Sequence, residues 1–82
     1  MKIIPIGKNI LLKPIKEQGV LLEVNCEYSE VIAIGNEVSK IKVGQIIGYE
    51  ADYGVNNLEV NKEWLYFIAE DSPFLLCILE DI

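Results

Sequence analysis

Side chains that could carry chemistry are few in this chain and poorly matched to one another. Acidic residues occur in close pairs, which could act as general acid and base if their environments separated their pKa values. The pairs are Glu50 with Asp52, Glu70 with Asp71, and Glu80 with Asp81. Because neighbouring residues of a strand point to opposite faces, we interpret these pairs as acidic groups of solvated turns.

The groups that would activate a nucleophile or bind a metal are absent. The sequence has no His, Arg or Thr, so the commonest general base and the commonest zinc ligand are missing. No glycine-rich phosphate-binding motif is present. Cys26 and Cys77 lack partners at metal-site spacing, and we interpret both as small buried apolar residues. We therefore predict no catalytic residue, no metal site, no cofactor and no enzymatic activity.

Length and composition limit the kind of domain and the kind of partner. A chain of 82 residues closes one small core, so we expect a single domain over residues 1–82. The net charge of −6 argues against a nucleic-acid partner, which would need phosphate contacts. Hydrophobic residues make up 51% of the chain, and so small a domain leaves some of them at the surface, where they favour protein contacts.

The apolar runs are too short to place the chain in a membrane. The longest one, residues 74–79, falls far below the roughly 20 residues of a membrane-spanning helix. The apolar stretch at the N-terminus is too short for a secretory signal and has no cleavage-site pattern. We expect a cytoplasmic protein that has no membrane partner.

The elements that must position these side chains are predicted to be short strands broken by turns. Five segments are rich in aliphatic and aromatic residues and are bounded by Gly, Asn, Asp or Pro. They are residues 9–15, 30–34, 45–49, 63–68 and 74–79. Turns are predicted at residues 35–36, 43–44, 53–57 and 61–62. A strand that contains Pro14 should lie at an edge, or begin or end at the proline. This spacing predicts an all-β fold, a small β-barrel.

Two of the predicted strands are apolar on both faces. In residues 63–68, Leu65 and Phe67 alternate with three other apolar side chains, and residues 74–79 include no polar one. A strand of a small barrel has one inward face. The second apolar face of the C-terminal strand must therefore meet another chain, or a segment of its own chain packed outside the barrel.

An aliphatic triplet, Val20-Leu21-Leu22, follows Gly19 between two polar stretches. The residues alone leave two interpretations open. Composition favours a barrel strand over residues 20–24. The alternative is an exposed hydrophobic hook that docks into a groove of a partner.

Six motifs, in order along nearly the whole chain, resemble the GroES-type co-chaperonins. They correspond to the family's opening apolar-Pro-apolar strand, its Glu-Val-apolar-Ala-Val-Gly segment, its Val-Gly-Asp turn, its Tyr-Gly turn, the apolar strand that follows its Glu-rich turn, and its closing Ala-Ile-Val-Glu. In this sequence they are residues 4–13 (IPIGKNILLK), 29–36 (SEVIAIGN), 43–47 (VGQII), 53–55 (YGV), 65–68 (LYFI) and 77–80 (CILE).

The resemblance implies a GroES-like barrel, a homo-oligomeric ring that is a heptamer in this family, and a GroEL-type chaperonin as partner. Such a ring caps the chamber in which the chaperonin encloses unfolded client proteins during ATP-dependent folding. A mobile loop at about residues 17–28 is implied to bind the chaperonin. The implied binding residues are Gly19, Val20, Leu21 and Leu22; the implied subunit contacts, from the two chain ends, are Ile3, Ile4, Ile6, Phe74, Leu76 and Ile78.

Two departures from the family pattern accompany the resemblance. The mobile loop is several residues shorter than usual, and the roof loop is reduced to about residues 36–42, too few for a projecting hairpin. Trimmed loops of this kind resemble divergent, bacteriophage-encoded co-chaperonins more than a housekeeping one. The alternative function is a GroES-like barrel that serves as a structural or interaction module without binding a chaperonin.

Overall fold

The computed structural model describes residues 2–15, 27–50 and 55–80. These ranges contain six strands, β1 (Asn9–Pro14), β2 (Glu27–Ile34), β3 (Ile46–Tyr49), β4 (Asn56–Val60), β5 (Glu63–Ala69) and β6 (Leu75–Leu79). Neighbouring strands are antiparallel and form one sheet in the order β4-β5-β1-β2-β3-β6. No helix that could cross a membrane occurs in the described part of the chain. The predicted all-β fold is confirmed.

The hydrophobic core lies on the inner face of this sheet. Its buried residues are Ile10, Leu12, Val31, Ile41, Ile47, Tyr49 and Ile68. Leu75 of β6 and Val55, which precedes β4, both pack against this cluster. β6 and β4 are the two outermost strands. Contact of Leu75 and of the residue directly before β4 with one core therefore means that the sheet curls around it, as in a small barrel.

The outer face of the sheet also carries buried apolar residues. Leu11 lies between Ile10 and Leu12 on β1 and pairs with Phe67 of β5, so both side chains point away from the core. Leu11 and Leu65 are nevertheless buried. The prediction that the strand around Leu65 is apolar on both faces is therefore confirmed.

Most strands end at the turn residues that the sequence indicates. One strand, β4, was not predicted. β1 lies inside the sheet and ends at Pro14, one of the arrangements expected for a strand that contains this proline, one residue short of the predicted end at residue 15. Asn56 and Asn57 were expected in a turn, but they begin β4 and pair with Phe67 and Tyr66 of β5. Asn has low strand propensity, and the ladder with β5 overrides it. The predicted turn at residues 61–62 is present and closes this hairpin.

Candidate functional site

The strand β6 is the most apolar exposed element of the described chain. It pairs with β3 on one side and ends the sheet on the other. Its sequence, LLCIL, is half-buried at both ends and exposed in between. Leu76 is 51% exposed and Ile78 is 37% exposed. An apolar edge strand favours pairing with another chain, and the sequence analysis predicted a contact surface at this strand.

A β-bulge at Leu76 changes which face the rest of β6 presents. Tyr49 pairs with Leu75 and Gly48 pairs with Cys77, so Leu76 is the extra residue. Beyond the bulge, Ile78 pairs with the core residue Ile47, which places it on the inner face at the sheet edge. Cys77 takes the outer face and is an exposed free thiol. The prediction that Cys77 is a small buried residue is wrong: it rested on the usual burial of free Cys, and the bulge turns this side chain to the outer face. Cys26 lies outside the described residues.

The N-terminal segment, residues 2–6, is the second exposed apolar element. It belongs to none of the six strands. Ile4 is 70% exposed and Ile6 is 79% exposed, whereas Pro5 is buried and Ile3 is half-buried. The segment borders an open hollow of about 310 Å³ on the outer face, which Asn9, Asn56 and Phe67 also line. Side chains at the chain end are thus available to a partner, as at β6.

Phe74, the remaining predicted contact residue, lies in the turn before β6 and is half-buried. Its carbonyl oxygen accepts a hydrogen bond from the Glu50 backbone N–H at 3.0 Å. That hydrogen bond extends the contact between β3 and β6 by one residue beyond Tyr49. Phe74 therefore helps to hold β6 in place, and it presents less surface to a partner than Leu76 does.

Three turns meet at the barrel end from which the N-terminal segment departs. The Gly7 N–H donates to Asn36 Oδ1 at 3.1 Å, and the Gly7 carbonyl accepts from the Glu37 N–H at 2.9 Å. The Lys8 carbonyl accepts from the Glu70 N–H at 2.9 Å, and Lys8 Nζ lies 3.7 Å from Asp71 Oδ2. These contacts join the turn before β1, the roof segment (residues 36–42) and the turn after β5.

The Glu70 side chain completes this junction by accepting hydrogen bonds from three consecutive backbone N–H groups. The donors are the N–H groups of Ser39 at 3.1 Å to both carboxylate oxygens, Lys40 at 2.7 Å and Ile41 at 3.1 Å. We call this arrangement the Glu70 nest. Hydrogen bonding to the backbone, that from Lys40 first, holds the pKa of Glu70 below its ordinary value. The predicted acidic turn at residues 70–71 is present, but Glu70 is a structural acceptor in it.

The opposite end of the barrel carries a hollow lined by tyrosines. Tyr28, Tyr49 and Tyr66 surround about 240 Å³ together with Pro14, Ile15, Glu27, Val55 and Asn57. The Tyr49 hydroxyl and the buried Ser29 hydroxyl are 2.7 Å apart and share a hydrogen bond. Burial raises the pKa of Tyr49. Ser29 is the one buried polar residue in the described ranges, and this hydrogen bond gives its hydroxyl group a partner.

The predicted chaperonin-binding residues Gly19, Val20, Leu21 and Leu22 lie outside the described residues, as does the competing strand over residues 20–24. Ile15 and Glu27, which flank residues 16–26, both line the tyrosine hollow. The chain therefore enters and leaves residues 16–26 at this end of the barrel. In the described ranges, no group of His, Cys, Asp and Glu side chains could hold a metal ion.

Sequence reasoning missed the contacts that join the three turns. Gly7 and Glu70 are separated in sequence from their partners by about 30 positions, so no local pattern marks them. The Gly35–Asn36 turn was identified, but nothing in it indicated that Asn36 would bind Gly7. The surrounding structure alone reveals these partners.

The fold and these surfaces define the class of protein: a small antiparallel β-barrel whose two apolar chain segments remain exposed. The chain is 33% identical to the co-chaperonin GroES of Kosmotoga olearia over an alignment of 83 residues, which covers 88% of this chain and 92% of that protein. The chain belongs to the GroES co-chaperonin family, as a divergent member. No protein-family model matches it.

Proposed function

We propose that this protein is a cytoplasmic, non-enzymatic co-chaperonin that forms a homo-oligomeric ring and caps the folding chamber of a GroEL-type chaperonin. The ring is proposed to be a heptamer, and unfolded client proteins are proposed to be enclosed beneath it without binding it directly. The aliphatic hook (Val20, Leu21 and Leu22, preceded by Gly19) is proposed to dock into the chaperonin. Membership of the GroES family supports this role.

The observation that carries the proposal is the exposure of apolar side chains at both ends of the chain. Ile4 and Ile6 project at the N-terminal segment. Leu76 and, at the inner edge of the sheet, Ile78 are exposed on β6, an outermost strand. Two different apolar surfaces on one chain can meet head to tail, and a head-to-tail contact that closes on itself produces a ring.

The energetics of hook binding favour a ring over a single subunit. Burying three aliphatic side chains contributes about 1.5 to 3 kcal/mol each. Ordering about six residues costs about 1 to 2 kcal/mol each, so one hook binds weakly or not at all. Hooks on one ring bind at high effective concentration once the first has docked, and avidity rises by orders of magnitude.

The test is co-elution with a GroEL-type chaperonin in the presence of ADP, measured by size-exclusion chromatography with light scattering. The double variant Leu21→Ser/Leu22→Ser should keep the ring mass and lose co-elution. Val43→Ser removes an aliphatic side chain that is 60% exposed on the turn before β3. It should co-elute like the wild type and serves as the matched control.

Two results would contradict the proposal at different points. Unchanged co-elution of the double variant would show that the hook is assigned to the wrong residues. A wild-type protein that stays monomeric and never co-elutes would exclude the capping role. The alternative, an interaction module without chaperonin binding, would then describe the protein better.

A further inference from the structure

One junction of three turns joins the chain segments that lead to the two apolar surfaces, although β6 itself starts at Leu75, beside Tyr49 of β3. The N-terminal segment ends at Ile6, directly before the Gly7–Lys8 turn, and β6 begins five residues after Glu70. The Glu70 N–H donates to the Lys8 carbonyl at 2.9 Å. The turn after the N-terminal segment and the turn that precedes β6 are therefore bound to each other at this junction.

The roof segment is bound to both turns of the junction. Through Asn36 and Glu37 it holds the backbone N–H and carbonyl of Gly7, next to the N-terminal segment. Through the Glu70 nest it holds the turn that leads into β6. A segment too short to project as a hairpin thus connects the two surfaces within one subunit.

The Glu70 nest is the strongest link in this connection. One carboxylate accepts from three successive backbone N–H groups, and Ser39 Oγ adds a weaker contact at 3.5 Å. Hydrogen bonds to a charged acceptor are stronger than neutral ones, and convergent backbone N–H groups form an anion-binding concavity. The side chains at the junction also include Lys8 and Asp71, whose contact is an exposed ion pair, a type that contributes little.

We propose that Glu70 is a positioning residue for assembly, which fixes the angle between the N-terminal segment and β6 and so selects a single ring size. The inference rests on the proposed ring. A ring of seven rotates each subunit by about 51° from the next, and rings of six or eight by about 60° or 45°. A change of about 10° in the angle between the two surfaces of each subunit is therefore enough to alter the number of subunits that close the ring.

The test compares Glu70→Gln with Glu59→Gln by native mass spectrometry and by amide hydrogen exchange. Both variants remove one negative charge, but Glu59 is an exposed residue of β4 that pairs with Trp64 near the start of β5, whereas Glu70 follows the end of β5. Glu70→Gln places an amide group against backbone donors. It should accelerate exchange at Ser39, Lys40 and Ile41 by at least about tenfold and replace the single ring mass by mixed or dissociated species. Glu59→Gln should change neither.

Each remaining outcome decides between the two proposals. If Glu70→Gln accelerates exchange at residues 39–41 and still forms one ring of wild-type mass, the positioning role is wrong and the ring stands. If the wild type does not assemble at all, the ring proposal fails and the positioning role fails with it.

A third measurement covers the case in which Glu70→Gln does not fold. This measurement uses only the wild-type protein. In the assembled ring, the backbone amides of residues 39–41 should be protected from hydrogen exchange. Exchange at unprotected rates in the ring would show that the nest is absent from the assembly and would overturn the inference.

Discussion

The backbone of Gly35 passes so close to Gly7 that no side chain fits between them. A Cβ atom at Gly35 would overlap the Gly7 carbonyl oxygen and lie 2.9 Å from its carbonyl carbon. Gly7 itself has φ of +67°, a backbone region that favours glycine. The turn before β1 and the turn after β2 thus fit together only because both positions are glycine.

Gly35→Ala should destabilise the fold by about 1 to 3 kcal/mol, the usual cost of forcing extra atoms into a packed site. The atoms nearest to the added methyl are backbone atoms of Gly7, which cannot rotate away as a side chain can. Urea denaturation measures the change. Gly44→Ala is the comparison, since that position has φ of +96° and open space around it. A loss at Gly35 no larger than the loss at Gly44 would contradict the steric explanation.

The stability contributed by the Glu70 nest should disappear in acid. The pKa of Glu70 in the folded protein lies below its ordinary value of 4.5, so the folded state favours the charged carboxylate. Its contribution is present above that value and is lost as the pH falls through the lowered folded pKa. Wild type should be more stable than Glu70→Gln near neutral pH, and the difference should shrink as the pH falls below 4.5.

Urea midpoints of both proteins across this pH range measure the difference. Glu59→Gln, an exposed change on β4, separates loss of the nest from loss of one negative charge. A difference between wild type and Glu70→Gln that stays constant with pH would argue against the nest.

The Ser29–Tyr49 hydrogen bond should show strong coupling in a double-mutant cycle. Tyr49→Phe leaves the fully buried Ser29 hydroxyl without its partner and should cost about 1 to 3 kcal/mol. Ser29→Ala/Tyr49→Phe removes both polar groups and should recover part of that loss, with a coupling energy of about 0.5 to 3 kcal/mol. Urea denaturation of the four proteins measures the cycle, and strictly additive effects would contradict a shared bond.

The β4–β5 hairpin should gain stability from Lys62→Gly. Asn61 and Lys62 have φ of 50° and 66°, and Asn-Gly is the preferred pair for a two-residue hairpin turn of this kind. A lysine with positive φ is strained by about 1 kcal/mol, so the substitution should raise stability by a similar amount. Lys62→Ala keeps the strain and should give no gain in thermal denaturation. Equal effects of the two changes would show that the backbone is not the cause.

Ile6→Asp should block assembly while leaving the subunit folded. Ile6 is 79% exposed, so a charge there should change the free energy of unfolding by no more than about 0.5 kcal/mol. In a ring contact, the same charge would be buried without a partner. Light scattering should report a monomer for Ile6→Asp and the wild-type mass for Val43→Asp, which changes another exposed aliphatic residue. A wild-type mass for both would remove the N-terminal segment from the contact.

Much of the strand pattern could be predicted from the sequence because apolar runs and turn residues are local signals. Pro14 ends β1 since proline has no N–H for a continuing ladder, and Asn61 marks a turn by its tolerance of positive φ. β4 was missed because Asn56 and Asn57 carry the local signal of a turn. Their place in a strand depends on β5, which supplies the partner backbone.

Composition and the family resemblance predicted which residues form the candidate contact surfaces. They did not predict the sheet face on which each of these residues lies. Ile4, Ile6, Leu76 and Ile78 were chosen because the chain has more apolar residues than a small core can bury and because they occupy family positions. The bulge at Leu76 exposes Cys77 and turns Ile78 to the inner face, contrary to simple alternation. A bulge depends on the register with β3, which a single strand does not encode.

The sequence by itself determined the all-β class, the absence of His, Arg and Thr, and the apolar character of the segments at residues 3–6 and 74–79, because these follow from residue types and short-range periodicity. Tertiary structure decided which backbones meet. The Gly7–Gly35 contact and the Glu70 nest each join residues about 30 positions apart, and only the folded sheet brings them within reach. The junction they form connects the two apolar surfaces, so the relation between those surfaces is a property of the fold.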